Sequence, residues 1–420
     1  MEQTQISTQM RVQGEAAKKA SKRVASASTE EKNKALLLIA DELETREAFI
    51  LEANAQDLEA GRKNGLSSAL LDRLTLDSGR IAGMADGCRQ IASLEDPIGE
   101  TIESWTRPNG LKLETVRVPL GVIGMIYEAR PNVTADAAAL ALKTGNGVLL
   151  RGSSSAFQSN QAVMDAIWEA LAKTSLPKEA VQLASDTSRE AATTMFQMND
   201  FLDVLIPRGG ANLIKTVVNQ STVPVLETGV GNCHIFIDET AEADKAVQIA
   251  VNAKTQRPSV CNAAETILVH QSWLEDHGES LVHALLAHGV TIRGDAPVQK
   301  LHDDVEPAAD EDWNTEYLDM IVAVKTVQDT EEAIEHINTF TTYHSEAIVT
   351  ESAENKRKFF QQIDAAALYH NASTRFTDGF EFGFGAEIGV STQKLHARGP
   401  MGLKAITSYK YLIHGDGQIK

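Results

Sequence analysis

Apolar and polar positions recur with two different periods along this chain. Residues 1–95 repeat at helical spacing. Ser28-Thr29-Glu30-Glu31 has the form of a capping box and precedes an apolar stripe over 35–39. Asp77-Ser78 opens a second stripe carrying Ile81, Met84, Cys88 and Ile91, and Pro97 closes the section. Over 101–120 the period falls to two, and Asn109-Gly110 between the alternating runs predicts a β-hairpin, because both residues tolerate positive φ. A lone hairpin is marginal in water, so this one needs something to pack on, another subunit included.

From Gly121 onward short apolar runs alternate with helical stretches. Strands are predicted at 121–127, 148–151, 181–183, 204–207 and 223–227, with helices at 134–143 and 156–173. That rhythm predicts an α/β fold with a mostly parallel sheet, whose ligands bind beyond the carboxyl ends of the strands. Asn132, Arg151 to Ser154, Arg208-Gly209-Gly210 and Glu227 all stand where a predicted strand stops. A second alternating block follows, with strands at 235–237, 266–269, 291–293, 320–324 and 347–349 and helices at 241–253, 274–288 and 331–338. The stretch 405–413 is strand-like again and is expected to pair with the hairpin. The expected domains are a cofactor-binding domain from 1–100 and 121–228, a catalytic domain over 229–370, and a β flap from 101–120 and 400–420 that serves oligomerisation.

Composition narrows the function. At 420 residues, 43% of them hydrophobic and 23% charged, the chain is an ordinary globular one with room for two or three domains. Its formal net charge of −19 disfavours nucleic acid and anionic membranes as partners. An anionic substrate requires local cationic groups, and these exist around Arg151, Arg208, Arg257 and Arg375. No signal-peptide core and no membrane-length apolar run stand out, so the expected location is the cytoplasm.

The three cysteines are widely spaced, which excludes a disulfide framework and argues against structural zinc. Cys88 falls on a helical stripe and reads as packing. The adjacent Cys233-His234 pair reads as structural, because neighbours on a strand face opposite ways. Cys261 is different: it sits in a polar, proline-interrupted loop, where a substrate reaches a thiol held by rigid elements. With the side-chain amide of Asn132 and the carboxylate of Glu227, it forms a set suited to acyl or aldehyde chemistry through a thioester.

Several segments carry a wider resemblance. They are Glu128-Ala-Arg-Pro-Asn-Val-Thr134, Pro207-Arg-Gly-Gly210, Leu226-Glu-Thr-Gly-Val-Gly-Asn232 and Thr255-Gln-Arg-Pro-Ser-Val-Cys-Asn262. Two more follow in the same order, at 371–378 and 385–401. On these the chain resembles the aldehyde dehydrogenase superfamily and, within it, the stand-alone acyl-phosphate reductases of proline biosynthesis. The resemblance implies an aldehyde-dehydrogenase-like fold with a Rossmann-type cofactor domain. It also implies NADPH-dependent reduction of L-glutamyl 5-phosphate to glutamate 5-semialdehyde with release of phosphate.

Roles come with it. Cys261 is the expected nucleophile, with Arg257 and the bound cofactor as candidates for favouring its thiolate. Asn132 and the Cys261 N–H are the expected oxyanion donors. Glu227 matches the general base of oxidising relatives; in the reductive direction it relays the thiol proton or simply caps a helix after Gly229. NAD-using relatives carry Lys-Pro-Ser-Glu where this chain has Arg151-Gly152-Ser153-Ser154. The carboxylate is absent and a guanidinium replaces the amine, which favours NADP(H) and its 2′-phosphate. Arg208-Gly209-Gly210 is expected at the pyrophosphate and Glu316 at the nicotinamide ribose, although Asp319 stands where oxidising relatives have glycine. Arg257, Arg375 and Arg398 are the candidates for the substrate's anionic groups. The hairpin and terminal strand resemble the family's intersubunit sheet, implying a homodimer or homotetramer, and the labile substrate implies coupling to glutamate 5-kinase. Two other readings stay open: an NAD-linked semialdehyde dehydrogenase working oxidatively, and a cofactor-independent thiol acyltransferase or hydrolase.

Overall fold

The computed structural model describes residues 2–420. Helices α1 (Glu2–Ala25), α2 (Thr29–Thr45), α3 (Glu47–Lys63), α4 (Ser68–Leu74) and α5 (Ser78–Ser93) fill the first section. The capping box is formed in both directions: the Glu31 N–H donates to Ser28 Oγ at 3.2 Å, and the Ser28 N–H donates to Glu31 Oε2 at 2.9 Å. Asp77 caps α5 through the Arg80 N–H at 2.7 Å. Ser28→Ala is therefore expected to destabilise the fold by about 1 kcal/mol, seen as a lower urea midpoint at unchanged slope. An unchanged midpoint would show that α2 does not depend on its cap.

Strands β1 (Thr101–Thr106) and β2 (Lys112–Pro119) form the predicted antiparallel hairpin, with Gly110 at φ +88° in its turn. Then follow β3 (Val122–Tyr127), α6 (Asn132–Lys143), β4 (Gly147–Arg151), α7 (Phe157–Ala172), β5 (Val181–Leu183), α8 (Arg189–Met195), β6 (Val204–Arg208) and α9 (Ala211–Gln220). These strands lie in the order β5-β4-β3-β6, all parallel. Every residue of β3 is buried, as its unbroken apolar run requires in a parallel strand covered on both faces. The expected strand at 223–227 is a correction. Only an isolated bridge between Leu205 and Val225 forms there, because Pro224 has no N–H with which to continue a ladder.

The second alternating block contains β7 (Cys233–Ile237), α10 (Ala243–Thr255), β8 (Ala264–His270), α11 (Gln271–Ala287), β9 (Thr291–Gly294), α12 (Ala296–Gln299) and β10 (Glu306–Pro307). It continues with β11 (Ile321–Val327), α13 (Thr330–Phe340), β12 (Ser345–Val349), α14 (Ala353–Gln362) and β13 (Ala367–His370). Among the described residues these strands form a seven-stranded parallel sheet, β10-β9-β11-β8-β7-β12-β13. Alternation along β7 sorts its two cores: Ile235 and Ile237 join Trp273, Leu281 and Leu285 on one face, while Phe236 joins Ile334, Ile337 and Phe359 on the other. Short strands β14 (Val390–Ser391) and β15 (Gly399–Pro400) pair antiparallel. Finally β16 (Thr407–His414) returns to β2, pairing Thr407 with Pro119 and His414 with Lys112.

The chain divides into two compact units. The first takes residues up to 228 with 383–389 and 401–420, so the β1-β2-β16 sheet belongs to it. The second takes 229–382 with 390–400. No helix among the described residues is long and apolar enough to cross a membrane.

Candidate active site

Helix α10 stops at Thr255 and β8 starts at Ala264; Pro258 in between cannot continue a helix, and the chain turns through Cys261. Both ends of this loop are anchored by one buried ion pair, Lys254 Nζ to Glu265 Oε2 at 2.6 Å, with both side chains fully inaccessible. Burial lowers the Lys254 ammonium and raises the Glu265 carboxyl to about 7. Glu265 also takes the Leu318 N–H at 3.2 Å, tying the Glu316 segment to the same anchor.

Cys261 alone of the three cysteines is half-buried; Cys88 and Cys233 are buried. Burial pushes the Cys88 thiol up to about 12 and the Cys233 thiol well above its ordinary value, so both are poor nucleophiles. The Cys233 thiol donates to the Cys261 carbonyl at 3.2 Å. Gly231 presses on the same carbonyl: a Cβ there would lie 2.9 Å from Cys261 Cα and closer still to its carbonyl carbon and oxygen. The Gly231 N–H is in turn held by Glu316 Oε1 at 2.6 Å.

Asn262 fastens the other side of the loop. Its Nδ2 donates to the Arg375 and Thr377 carbonyls at 3.2 and 3.0 Å, and its own carbonyl accepts from Thr374 Oγ1 at 2.7 Å. The Arg375 guanidinium donates to Asn262 Oδ1, and to Gln256 Oε1 at 2.9 Å. Burial and the like charge of Arg257 pull Arg375 below its ordinary value, whereas Cys261 and Asp378 act the other way. The second unit therefore brings Cys261, Arg257 and Arg375 into one electrostatic neighbourhood. Arg398 is not part of that cluster; its guanidinium is engaged by Asp364 at 2.7 Å, a carboxylate that also pairs with Lys394.

In the first unit the carboxyl end of β3 is flanked by those of β4 and β6, with Ile126 beside Arg151 and Tyr127 beside Arg208. The Arg151 guanidinium donates to the Thr187 carbonyl, and to the Ser188 carbonyl at 2.9 Å. Its buried Nε has no protein hydrogen-bond partner, and burial lowers the group. Ser153 caps the single turn that begins at Ser154, and its hydroxyl lies 2.8 Å from that of Ser155. Gly210 starts α9, and its N–H is taken at 3.1 Å by a carboxylate oxygen of Glu128. That contact shows an anion-accepting point beside Arg208 and Gly209. An orphaned guanidinium nitrogen and an anion-accepting N–H at the two strand ends that flank β3 fit the phosphates of a dinucleotide.

Asn132 is the first residue of α6, and its Nδ2 donates to Asp136 Oδ2 at 2.9 Å. Burial raises the Asp136 carboxyl to about 6, against the pull of that bond and of Arg208. Glu227 is half-buried in the irregular run after α9. The expected capping role for it has no helix to act on, because the chain passes from Gly229 through Asn232 directly into β7.

Four contributors were not singled out from the sequence: Glu128, Asp136, Gly231 and Asn262. The four-residue spacing from Asn132 to Asp136 on a helix was a usable signal. The others act through tertiary contacts that no local pattern encodes.

Comparison with known proteins places this geometry in a lineage. Residues 4–296 match the aldehyde dehydrogenase family. The chain is 60% identical over 405 residues to the gamma-glutamyl phosphate reductase of Halalkalibacterium halodurans, covering 96% of this chain and 97% of the relative. It is 58% identical over 407 residues to that of Bacillus cereus, covering 97% and 98%. The crystal structure of gamma-glutamyl phosphate reductase from Thermotoga maritima superposes with a TM-score of 0.95 at 49% identity, over 98% of this chain and 99% of that one. The chain belongs to the aldehyde dehydrogenase family and, within it, to the gamma-glutamyl phosphate reductases.

Proposed function

We propose that this chain reduces L-glutamyl 5-phosphate to L-glutamate 5-semialdehyde with NADPH, releasing phosphate, as a step of proline biosynthesis. The observation that carries the reading is Cys261, half-exposed on a clamped loop beside Arg257 and Arg375, in a chain 60% identical over 405 residues to a gamma-glutamyl phosphate reductase. The guanidiniums supply positive charge where a thiolate and an anionic substrate meet.

The Cys261 sulfur attacks the acyl carbonyl, forming a C–S bond as the C–O bond to phosphate breaks. Asn132 Nδ2 and the Cys261 N–H donate to the oxygen that becomes negative, a contribution typically worth about two to three powers of ten in rate per donor. NADPH, held by Arg151, Ser153, Arg208 and Glu316, would supply the hydride that reduces the thioester carbon. The thiohemiacetal on Cys261 then collapses, the C–S bond breaks, and the sulfur retakes a proton as the aldehyde leaves. Glu227 serves as the relay for that proton. Arg375 and Arg257 hold the substrate's anionic groups, with Arg398 as a weaker candidate already paired to Asp364.

Arg151, Ser153 and Ser154 form the adenosine end of the cofactor site, with Arg208, Gly209 and Gly210 at the pyrophosphate and Glu316 toward the nicotinamide ribose. The orphaned Arg151 nitrogen supports a 2′-phosphate, hence NADP(H). Exposed Tyr409, Tyr411 and Ile413 on β16, with Ile102 on β1, support a homodimer or homotetramer joined through that sheet. The cytoplasm is the proposed location, and glutamate 5-kinase, as supplier of a labile acyl phosphate, the proposed functional partner.

One assay run in reverse separates this reading from its rivals. Purified protein with glutamate 5-semialdehyde and NADP should form NADPH only when phosphate is added, since phosphate rather than water releases the acyl group. Phosphate-independent turnover with NAD would support an oxidative semialdehyde dehydrogenase instead. Thioester hydrolysis with no nucleotide would support the acyltransferase or hydrolase reading.

A further inference from the structure

An oxyanion donor made from a side-chain amide has an orientation problem. The oxygen and nitrogen ends of Asn132 are nearly the same size, and only the nitrogen end donates. Rotated by half a turn, the same side chain would present a carbonyl oxygen to developing negative charge. Something must hold the nitrogen end in place.

The structure assigns that task to Asp136: it is a positioning residue that fixes the amide of Asn132 with its nitrogen as donor. The inference rests on the oxyanion role proposed for Asn132. Asp136 lies four residues on, on the same face of α6, and its Oδ2 receives Asn132 Nδ2 at 2.9 Å. An ionised carboxylate only accepts, so it bonds the nitrogen end and repels the oxygen end. One amide hydrogen is used on Asp136, which leaves the second for the substrate.

The surroundings suit the task. Asp136 is half-buried, so the bond is little diluted by water, and the Arg208 charge supports the ionised form. A carboxyl raised to about 6 is still mostly ionised at neutral pH. Opposite it, α5 presents Gly87, where a Cβ would lie 3.9 Å from Asp136 Oδ1, so no side chain from that position contests the carboxylate.

A double-mutant cycle tests this in the phosphate-dependent assay, with variants Asn132→Ala, Asp136→Ala and both together. Asp136→Ala is expected to lower kcat about tenfold with substrate KM and NADPH affinity within twofold, and to change kcat less than twofold once Asn132 is alanine. Asp136→Asn keeps one accepting oxygen and is the second variant, in case alanine impairs folding. It should cost about threefold, again only when Asn132 is present. Equal losses in both backgrounds would mean that Asp136 merely supports the fold. An active Asp136→Ala beside an impaired Asn132→Ala would overturn the positioning role alone. Full activity in Asn132→Ala would remove the oxyanion reading and this inference with it.

Discussion

Cys261→Ala is expected to lower turnover by roughly four powers of ten or more while leaving NADPH affinity within about twofold. Removing the sulfur removes the covalent intermediate, and neither Cys88 nor Cys233 substitutes for it, because both are buried with raised thiol pKa values. The cofactor residues proposed at the ends of β4 and β6 are untouched by the substitution, so nucleotide binding persists. Turnover measured alongside a fluorescence titration with NADPH checks both halves. Full turnover in the variant would refute the nucleophile assignment, and joint loss of binding and turnover would point to a folding defect instead.

Gly231→Ala should cost about a hundredfold in kcat/KM or more without touching any reacting group. The new methyl would fall against the Cys261 carbonyl, and backbone has little freedom to yield. The loop must move, carrying the sulfur and the Cys261 N–H with it. Two further contacts tie the displacement to the site: the Cys233 thiol on the same carbonyl and Glu316 on the Gly231 N–H. Steady-state rates together with the rate of Cys261 alkylation by iodoacetamide read the effect. A variant with wild-type values for both would show that the close approach is not required.

Much of the fold was legible because local chemistry and tertiary structure agree. Ser28 and Asp77 cap the helices they announce, and Asn109-Gly110 turns the hairpin it predicts. The unbroken apolar run of β3 reads as a parallel strand buried on both faces. The run at 223–227 misled, since an apolar pattern does not register that Pro224 lacks a ladder donor. Cys261 was legible as a thiol on a loop rather than on a stripe. Gly231 was not: its role comes from a carbonyl thirty residues later in the chain pressing on its Cα, and sequence spacing carries no record of that. Glu128 was silent for the same reason, its importance resting on a distant Gly210 N–H.

The return of β16 to β2 has a consequence for synthesis on the ribosome. Roughly 290 residues separate Pro119 from its partner Thr407, which at about 5–20 residues per second is about 15–60 s of translation. Throughout that interval the nascent polypeptide carries β2 with β1 as its sole strand neighbour, and one edge open to other chains. The second unit's seven-stranded sheet is complete in sequence by His370, so it can form first, and the hairpin is sealed only after Thr407–His414 has been made.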